Sequence, residues 1–219
     1  MFTFAAIILL FNTTVTTSNT IKEDLIQKQI LQAAQQLFQK HGLQKVTMDD
    51  VAKAIGKGRS SLYYYYKSKD EIFDAVMDVE MGEITTELTR AVNEVPDIEQ
   101  KIRAYCITRI KVSRRKKAFF SAMEAGMNAD EISHYAKTKQ AIRKRIIKEE
   151  SAVLTSILTE AIKKDEINDL NTKDQETLVF VLLNSLHGMK RRMLNENDYS
   201  RMEPAVDLLT QMVIQRIRK

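Results

Sequence analysis

An all-α protein is the expectation, and three features of the chain carry it. Its 219 residues include only 6 Gly and 2 Pro, the residues that most disfavour helix interiors. Apolar residues recur at three- and four-residue spacing through most of the chain. No segment alternates apolar and polar residues over the length of a strand. The 44% hydrophobic content supports a real core, and the length suits one large domain or a small domain fused to a larger one.

The chain opens on "MFTFAAIILLF". That run is too short to span a bilayer and lacks the Lys/Arg-rich start of a signal peptide. With the polar tract "NTTVTTSNT" behind it, residues 1–20 read as a disordered or mis-assigned extension. A signal or interfacial anchor is the minority reading. The ordered domain is expected to begin near Ile21–Leu25. A first helix carries Ile26, Ile30, Ala33, Leu37 and Phe38 and stops at Gly42. Thr47 is a plausible N-cap for a second, short helix, with Asp50 three residues on. Val51 and Ile55 form its inward face, and Gly56 ends it. After "GKGR" comes a third short segment, Ser60 to Tyr66. "SKDE" (Ser68, Glu71) is a capping box opening a fourth helix, with Ile72, Val76, Val79 and Ile84 on its apolar side and its end by Pro96. Five more helices follow, roughly 97–113, 116–127, 131–164, 172–195 and 200–217, for about nine in all.

Three short helices, the second and third joined by a glycine turn, are the layout of a helix-turn-helix. The charge pattern agrees. From Val51 to Lys69 there are five basic residues (Lys53, Lys57, Arg59, Lys67, Lys69) and no acidic one, although 29% of the chain is charged. A phosphate backbone favours such a stretch, because each neutralised phosphate releases counterions. "LYYYY" lies within it. Positions i and i+4 share a helix face, so Leu62 and Tyr66 are assigned inward and Tyr63, Tyr64 and Tyr65 fan over the rest. A tyrosine ring packs on a groove wall while its hydroxyl bonds a phosphate, so Tyr64 and Tyr65 read as DNA contacts.

These residues resemble the TetR family of bacterial transcription regulators. The resemblance is specific over about residues 26–75. It rests on a helix ending Phe-x-x-x-Gly, the Thr-capped second helix, the Ala-x-x-x-Gly turn, Leu-Tyr-Tyr, and Lys-x-Lys-Asp-Glu opening the fourth helix. It implies an N-terminal three-helix DNA-binding domain (21–67) and a C-terminal helical ligand-binding and dimerisation domain (68–219). Carried over by position, Thr47, Tyr64, Tyr65 and Lys69 fall where the family contacts phosphates, and Arg59, Ser60, Ser61 and Tyr63 where it meets base edges. Lys57 and Lys67 complete the candidate DNA-binding set. Lys57 and Gly58 depart from the family's usual small apolar residue and Ser/Thr cap. Tyr65 and Tyr66 replace a common histidine and phenylalanine.

The C-terminal helices carry two apolar faces. Leu178, Leu182, Ser185, Met189 and Met193 form one stripe of 172–195, with Val179, Leu183 and Leu186 beside it. In 200–217, Leu208 and Met212 accompany Val206, Leu209, Val213 and Ile217. A helix with two apolar faces needs a second partner. The family implies a symmetric four-helix dimer interface, expected at Leu182, Ser185, Met189, Met193, Leu208 and Met212. The family also implies a ligand pocket. Phe119, Phe120, Met123 and Met127 suit an adaptable apolar cavity, and Tyr105, Tyr135, Asn184 and His187 are its candidate polar contacts. "RIKVSRRKK" (109–117) has six basic residues in nine and reads as a solvated helix end, with an auxiliary phosphate contact or acidic-ligand site as the rival.

Composition bounds the rest. Net charge is +5 and pI about 9.1. The single Cys106 forms no intramolecular disulfide, and the three histidines show no metal-ligand spacing. No cofactor or metal is expected, and no nucleophile–base–acid set points to an enzyme. The leading expectation is a cytoplasmic, dimeric, ligand-responsive regulator of double-stranded DNA, most often a repressor in this family, on a near-palindromic operator. An architectural or cell-cycle DNA-binding protein without an inducer is the alternative. A membrane-attached regulator is a third reading, and stable membrane association is not expected.

Overall fold

The computed structural model describes residues 4–125 and 127–218, with side chains described from Lys22 onward. Among the described residues there are eight helices and no strand: α1 (Phe4–His41), α2 (Met48–Ala54), α3 (Arg59–Tyr65), α4 (Lys69–Asn93), α5 (Ile98–Glu124), α6 (Ala129–Lys163), α7 (Thr172–Glu196) and α8 (Met202–Ile217). None is long and apolar enough to cross a membrane.

Three expectations change. First, α1 begins at Phe4 and not near Ile21. No Gly or Pro occurs before Gly42, so nothing in the chain stops the helix. The side chains of residues 1–21, and with them the reading of the apolar run, lie outside the described residues. Second, α5 is one helix where a break at "SRRKK" was expected. Lys and Arg are good helix formers, and carboxylates neutralise the run. Lys116 Nζ donates to Glu80 and Glu83 at 2.7 Å each, Arg115 pairs with Glu87, and Arg109 with Glu150. The run is therefore not a solvated helix end. Third, Val79 is exposed and Glu80 takes the buried position beside it, because Glu80 is the acid that meets Lys116.

The chain divides into two compact units, Met1–Val76 with Ala122–Asn128, and Met77–Ser121 with Ala129–Lys219. The first unit therefore runs past the expected boundary at Lys67. Ile72, Phe73 and Val76 at the start of α4 are buried with its core, and Phe73 meets Phe38 edge-on at 6.3 Å. Ile30, Ala34 and Phe38 form the buried stripe of α1, and Val51, Ala52 and Leu62 bring in α2 and α3. At the end of α1 the Gly42 N–H donates to the Phe38 carbonyl at 2.9 Å. Gly42 has φ +78°, and a Cβ there would stand 2.9 Å from the Ala125 carbonyl oxygen.

In the second unit α6 packs on α7 and α7 on α8. Leu154 and Leu158 of α6, Leu182 and Leu186 of α7, and Val206 and Ile217 of α8 are buried. Helix ends are tied by side chains from other segments. Glu166 accepts the Ile98 N–H that opens α5, at 3.0 Å. Asn168 donates its backbone N–H to the Ile217 carbonyl at 2.9 Å and its side-chain amide to the Arg218 carbonyl at 2.6 Å. Each bond satisfies a terminal group that the helix itself leaves open.

Gly42→Ala is expected to destabilise the protein by at least about 1 kcal/mol, since both the backbone angle and the Ala125 carbonyl oppose a methyl group. Gly82→Ala, inside α4 with open space around the new Cβ, should stabilise by about 0.5–1 kcal/mol. At roughly 2–4 °C per kcal/mol for a chain of this size, thermal unfolding followed by circular dichroism separates the two variants by several degrees. Equal melting temperatures would contradict this account of the α1 terminus.

Candidate functional site

Thr47 caps α2 with φ −110° and ψ 165°. Its Oγ1 accepts the Asp50 N–H at 3.2 Å, and the Asp50 carboxylate accepts the Thr47 N–H at 2.9 Å and its hydroxyl at 2.7 Å. This is a reciprocal capping box on a helix of seven residues, too short to persist by propensity alone. The hydrogen bonds from the Thr47 side chain and backbone hold the Asp50 carboxyl below its ordinary range. At the other end Gly56, at φ +64°, donates to the Lys53 carbonyl at 3.1 Å, and Lys57 donates to the Ala52 carbonyl at 3.0 Å. This double closure turns the chain sharply into α3.

α3 is also seven residues, capped by Gly58 with no side-chain bond. Leu62 is fully buried and faces the first unit's core. Tyr66 lies outside the helix, in extended backbone at φ −136°, ψ 127°, so the expected i, i+4 pairing with Leu62 does not apply to it. It is half-buried, and burial raises its phenol pKa. Tyr64 is 67% exposed and meets the half-buried Tyr65 edge-on at 5.0 Å. Arg59 Nη2 donates to the Tyr63 hydroxyl at 3.2 Å, and its guanidinium lies 5.4 Å over that ring. Lys57 and Ser60 are exposed and Ser61 is half-buried. Lys67 Nζ donates to the Tyr63 carbonyl and Lys69 Nζ to the Leu43 carbonyl, each at 3.0 Å. At the start of α4, Ser68 Oγ accepts the Glu71 N–H at 3.2 Å, but Glu71 returns its bond to the Lys67 N–H at 2.6 Å and not to Ser68.

The stretch without acids in sequence has acids beside it in space. Asp49 stands 3.4 Å from Arg59 Nε, and the Tyr64 hydroxyl donates to Glu23 at 3.3 Å. The Tyr63 hydrogen bond, then Asp49, raise the Arg59 pKa, and Glu23 raises that of Tyr64. Asp49 lies in the first turn of α2, two residues past the Thr47 cap, and Glu23 is 41 residues from Tyr64.

The residues expected in a ligand pocket do not form one group. Met123 and Met127 belong to the first unit, and Tyr105, Phe119, Phe120 and Tyr135 to the second. Asn184 is exposed and its amide donates to the Phe180 carbonyl at 2.7 Å, so it does not face an interior. His187 and Tyr105 are interior, in company that was not anticipated. Glu150 of α6 is fully buried, paired with Arg109 of α5 and bonded to His187 Nε2 of α7 at 3.0 Å. Burial pushes the Glu150 carboxyl up, but the His187 bond and the Arg109 charge outweigh it and hold it below its ordinary range. Lys190, one turn past His187, has its ammonium pulled down to about 7 by burial and then by Arg109. An apolar cavity of about 10 Å³, lined in part by Ile102, Leu154, Val179 and Leu182, lies in the same unit. Of the residues expected at a dimer interface, Leu182 and Met193 are buried, Ser185 and Met189 half-buried, and Leu208 and Met212 exposed. Phe180 and Val181 of α7, absent from that expectation, are exposed as well.

Thr47→Ala should cost about 1 kcal/mol of stability through loss of the α2 cap. Asp50→Ala removes the other half of the same box, so the double variant should cost clearly less than the sum of the singles. Urea unfolding of the three variants measures this, and strict additivity would show that the box does not act as a unit.

Residues 30–76 match the family model described as "Bacterial regulatory proteins, tetR family". The HTH-type transcriptional regulator YvaF of Bacillus subtilis (strain 168) is 26% identical over 152 residues, 67% of this chain and 73% of that protein. Five further curated regulators are matched over 24% to 39% of their own length. Among solved structures, a TetR-family transcriptional regulator of Mesorhizobium loti MAFF303099 superposes with a TM-score of 0.65 at 16% identity, over 88% of this chain and 96% of that one. FadR of Bacillus subtilis, solved in complex with stearoyl-CoA, superposes with a TM-score of 0.56 at 16% identity, over 85% and 97%. These structures share the fold. The capped α2, the glycine turn and the tyrosine-bearing α3 all lie inside the segment, residues 30–76, that matches the tetR family of bacterial regulatory proteins.

Proposed function

We propose that this protein is a dimeric transcription regulator, a repressor released from a near-palindromic operator by a small, largely apolar ligand. The observation that carries the reading is the α2–turn–α3 unit. It seats Leu62 in the core while Arg59, Tyr64 and the flanking lysines face outward. Arg59 opens α3 and is suited to a bidentate guanine contact once drawn off Asp49. Tyr64, Tyr65, Lys57, Lys67 and Lys69 supply donors for phosphates. Exposed Phe180 and Val181 on α7 with Leu208 and Met212 on α8 support an apolar dimer contact. The stearoyl-CoA held by FadR supports an acyl-type effector. The smallness of the apolar cavity favours the alternative, an architectural DNA-binding protein with no inducer, unless ligand selects a more open form of the second unit.

DNA affinity should fall about a thousandfold or more between about 50 and 200 mM salt if roughly six or more phosphates are neutralised per dimer. A flat salt profile would sink the nucleic-acid reading. Lys69→Ala and Tyr64→Phe should weaken binding to all sequences alike, whereas Arg59→Ala should alter base preference, costing about 1–3 kcal/mol at one position. Binding-site selection on the three variants separates the roles. By linkage, operator DNA must lower ligand affinity by the same factor as ligand lowers operator affinity. Calorimetric ligand affinities that are identical with and without operator would remove induction and leave the architectural reading.

A further inference from the structure

The interior of the second unit sets a buried hydroxyl without a partner among the described residues beside several cationic side chains that share one buried carboxylate. Arg109 carries five N–H donors. Among the described residues it spends them on Glu150 and, at 2.5 Å, on Ser113 Oγ. The Tyr105 hydroxyl is fully buried and has no hydrogen-bond partner among the described residues, in the field of both Glu150 and Arg109. Lys190 is half-buried one turn past His187, and its charge is opposed by Arg109 and Arg143 with Glu150 as the compensating acid. One carboxylate thus serves an arginine, a histidine and a lysine. A buried hydroxyl without an acceptor is costly, and an oxyanion is the chemical group that would satisfy it and the neighbouring cations together.

The apolar cavity lies along the same three helices. Ile102 precedes Tyr105 and Arg109 on one stripe of α5, Leu154 is one turn past Glu150 on α6, and Val179 and Leu182 precede His187 and Lys190 on α7. A polar end and an apolar end are therefore laid out in sequence along the interior.

We infer that this cluster receives the anionic head group, carboxylate or phosphoryl, of an amphipathic ligand, with Arg109, His187, Lys190 and the Tyr105 hydroxyl as its contacts and Glu150 as the positioning residue that holds Arg109 and His187. The inference rests on reading the second unit as the ligand domain, and it adds an acidic end to a ligand expected to be largely apolar. Arg109→Met would strand Glu150 in the interior and endanger folding, so Lys190→Met and Tyr105→Phe carry the test. Neither substitution removes a hydrogen bond found among the described residues.

The experiment is calorimetric titration of the free, full-length protein, without DNA, using butyrate, decanoate and palmitate, the matching alkyl phosphates and the matching alcohols. For at least one chain length, an anion should bind at least about tenfold more tightly than its alcohol, a difference of about 1.4 kcal/mol. Preference among the anions then assigns carboxylate or phosphoryl. Lys190→Met and Tyr105→Phe should lose most of that preference without any fall in melting temperature. Equal binding of anion and alcohol, no binding of any anion, or full preference retained in both variants would overturn the inference. Because no DNA is present, this outcome is read separately from any failure of operator binding.

Discussion

The second unit is organised around the neutralisation of a basic helix. α5 carries Lys101, Arg109 and Lys116 in buried positions, and a charge taken out of water must meet an opposite charge or lose its own. Each meets one. Lys101 pairs with Glu160 of α6, Arg109 with Glu150 of α6, and Lys116 with Glu80 and Glu83 of α4. These pairs set which residue of α6 and α4 stands beside which turn of α5. Apolar packing alone is tolerant of small shifts, whereas an ion pair out of register leaves a buried charge uncompensated. Such pairs contribute little net stability against apolar substitutes of equal size. Their evident role here is to specify one arrangement.

The same pairing gives the interior its chemistry. At Lys116 two carboxylates meet one cation, and the pairs are structural. Around Glu150 one carboxylate meets both Arg109 and His187, and the buried Tyr105 hydroxyl has no partner among the described residues. Glu160 shows the surface version of the pattern. Hydrogen bonds from Lys101 and Lys164 take its carboxyl down to about 2, and its partner Lys164 lies in water, where such a pair is worth little.

In the first unit the governing constraint is brevity. Two seven-residue helices hold together because caps, a glycine turn and a shared core replace the cooperativity that a longer helix would supply. The functional surface is what remains after those demands are met. Leu62 goes inward, and the tyrosines and cations go where the core does not need them. Asp49 and Glu23 temper that surface, pairing with Arg59 and Tyr64.

The amino-acid sequence alone determined whatever rests on local rules. The all-α class follows from scarce glycine and proline. The Thr47 cap, the Gly42 and Gly56 stops and the inward Leu62 follow from backbone sterics and helix periodicity, which act within a few residues. Tertiary structure decided whatever rests on distant partners. Whether "SRRKK" breaks a helix depends on Glu80, Glu83 and Glu87, which nothing local identifies. Whether Tyr66 continues α3 depends on where the chain must turn to reach α4. Whether Leu182 faces a second subunit or its own core depends on how α6 and α8 lie against α7. The company of His187 follows from Glu150 and Arg109, on two other helices. Charge and burial are properties of a residue's surroundings, and those surroundings are assembled from positions too far apart in the chain for spacing to reveal.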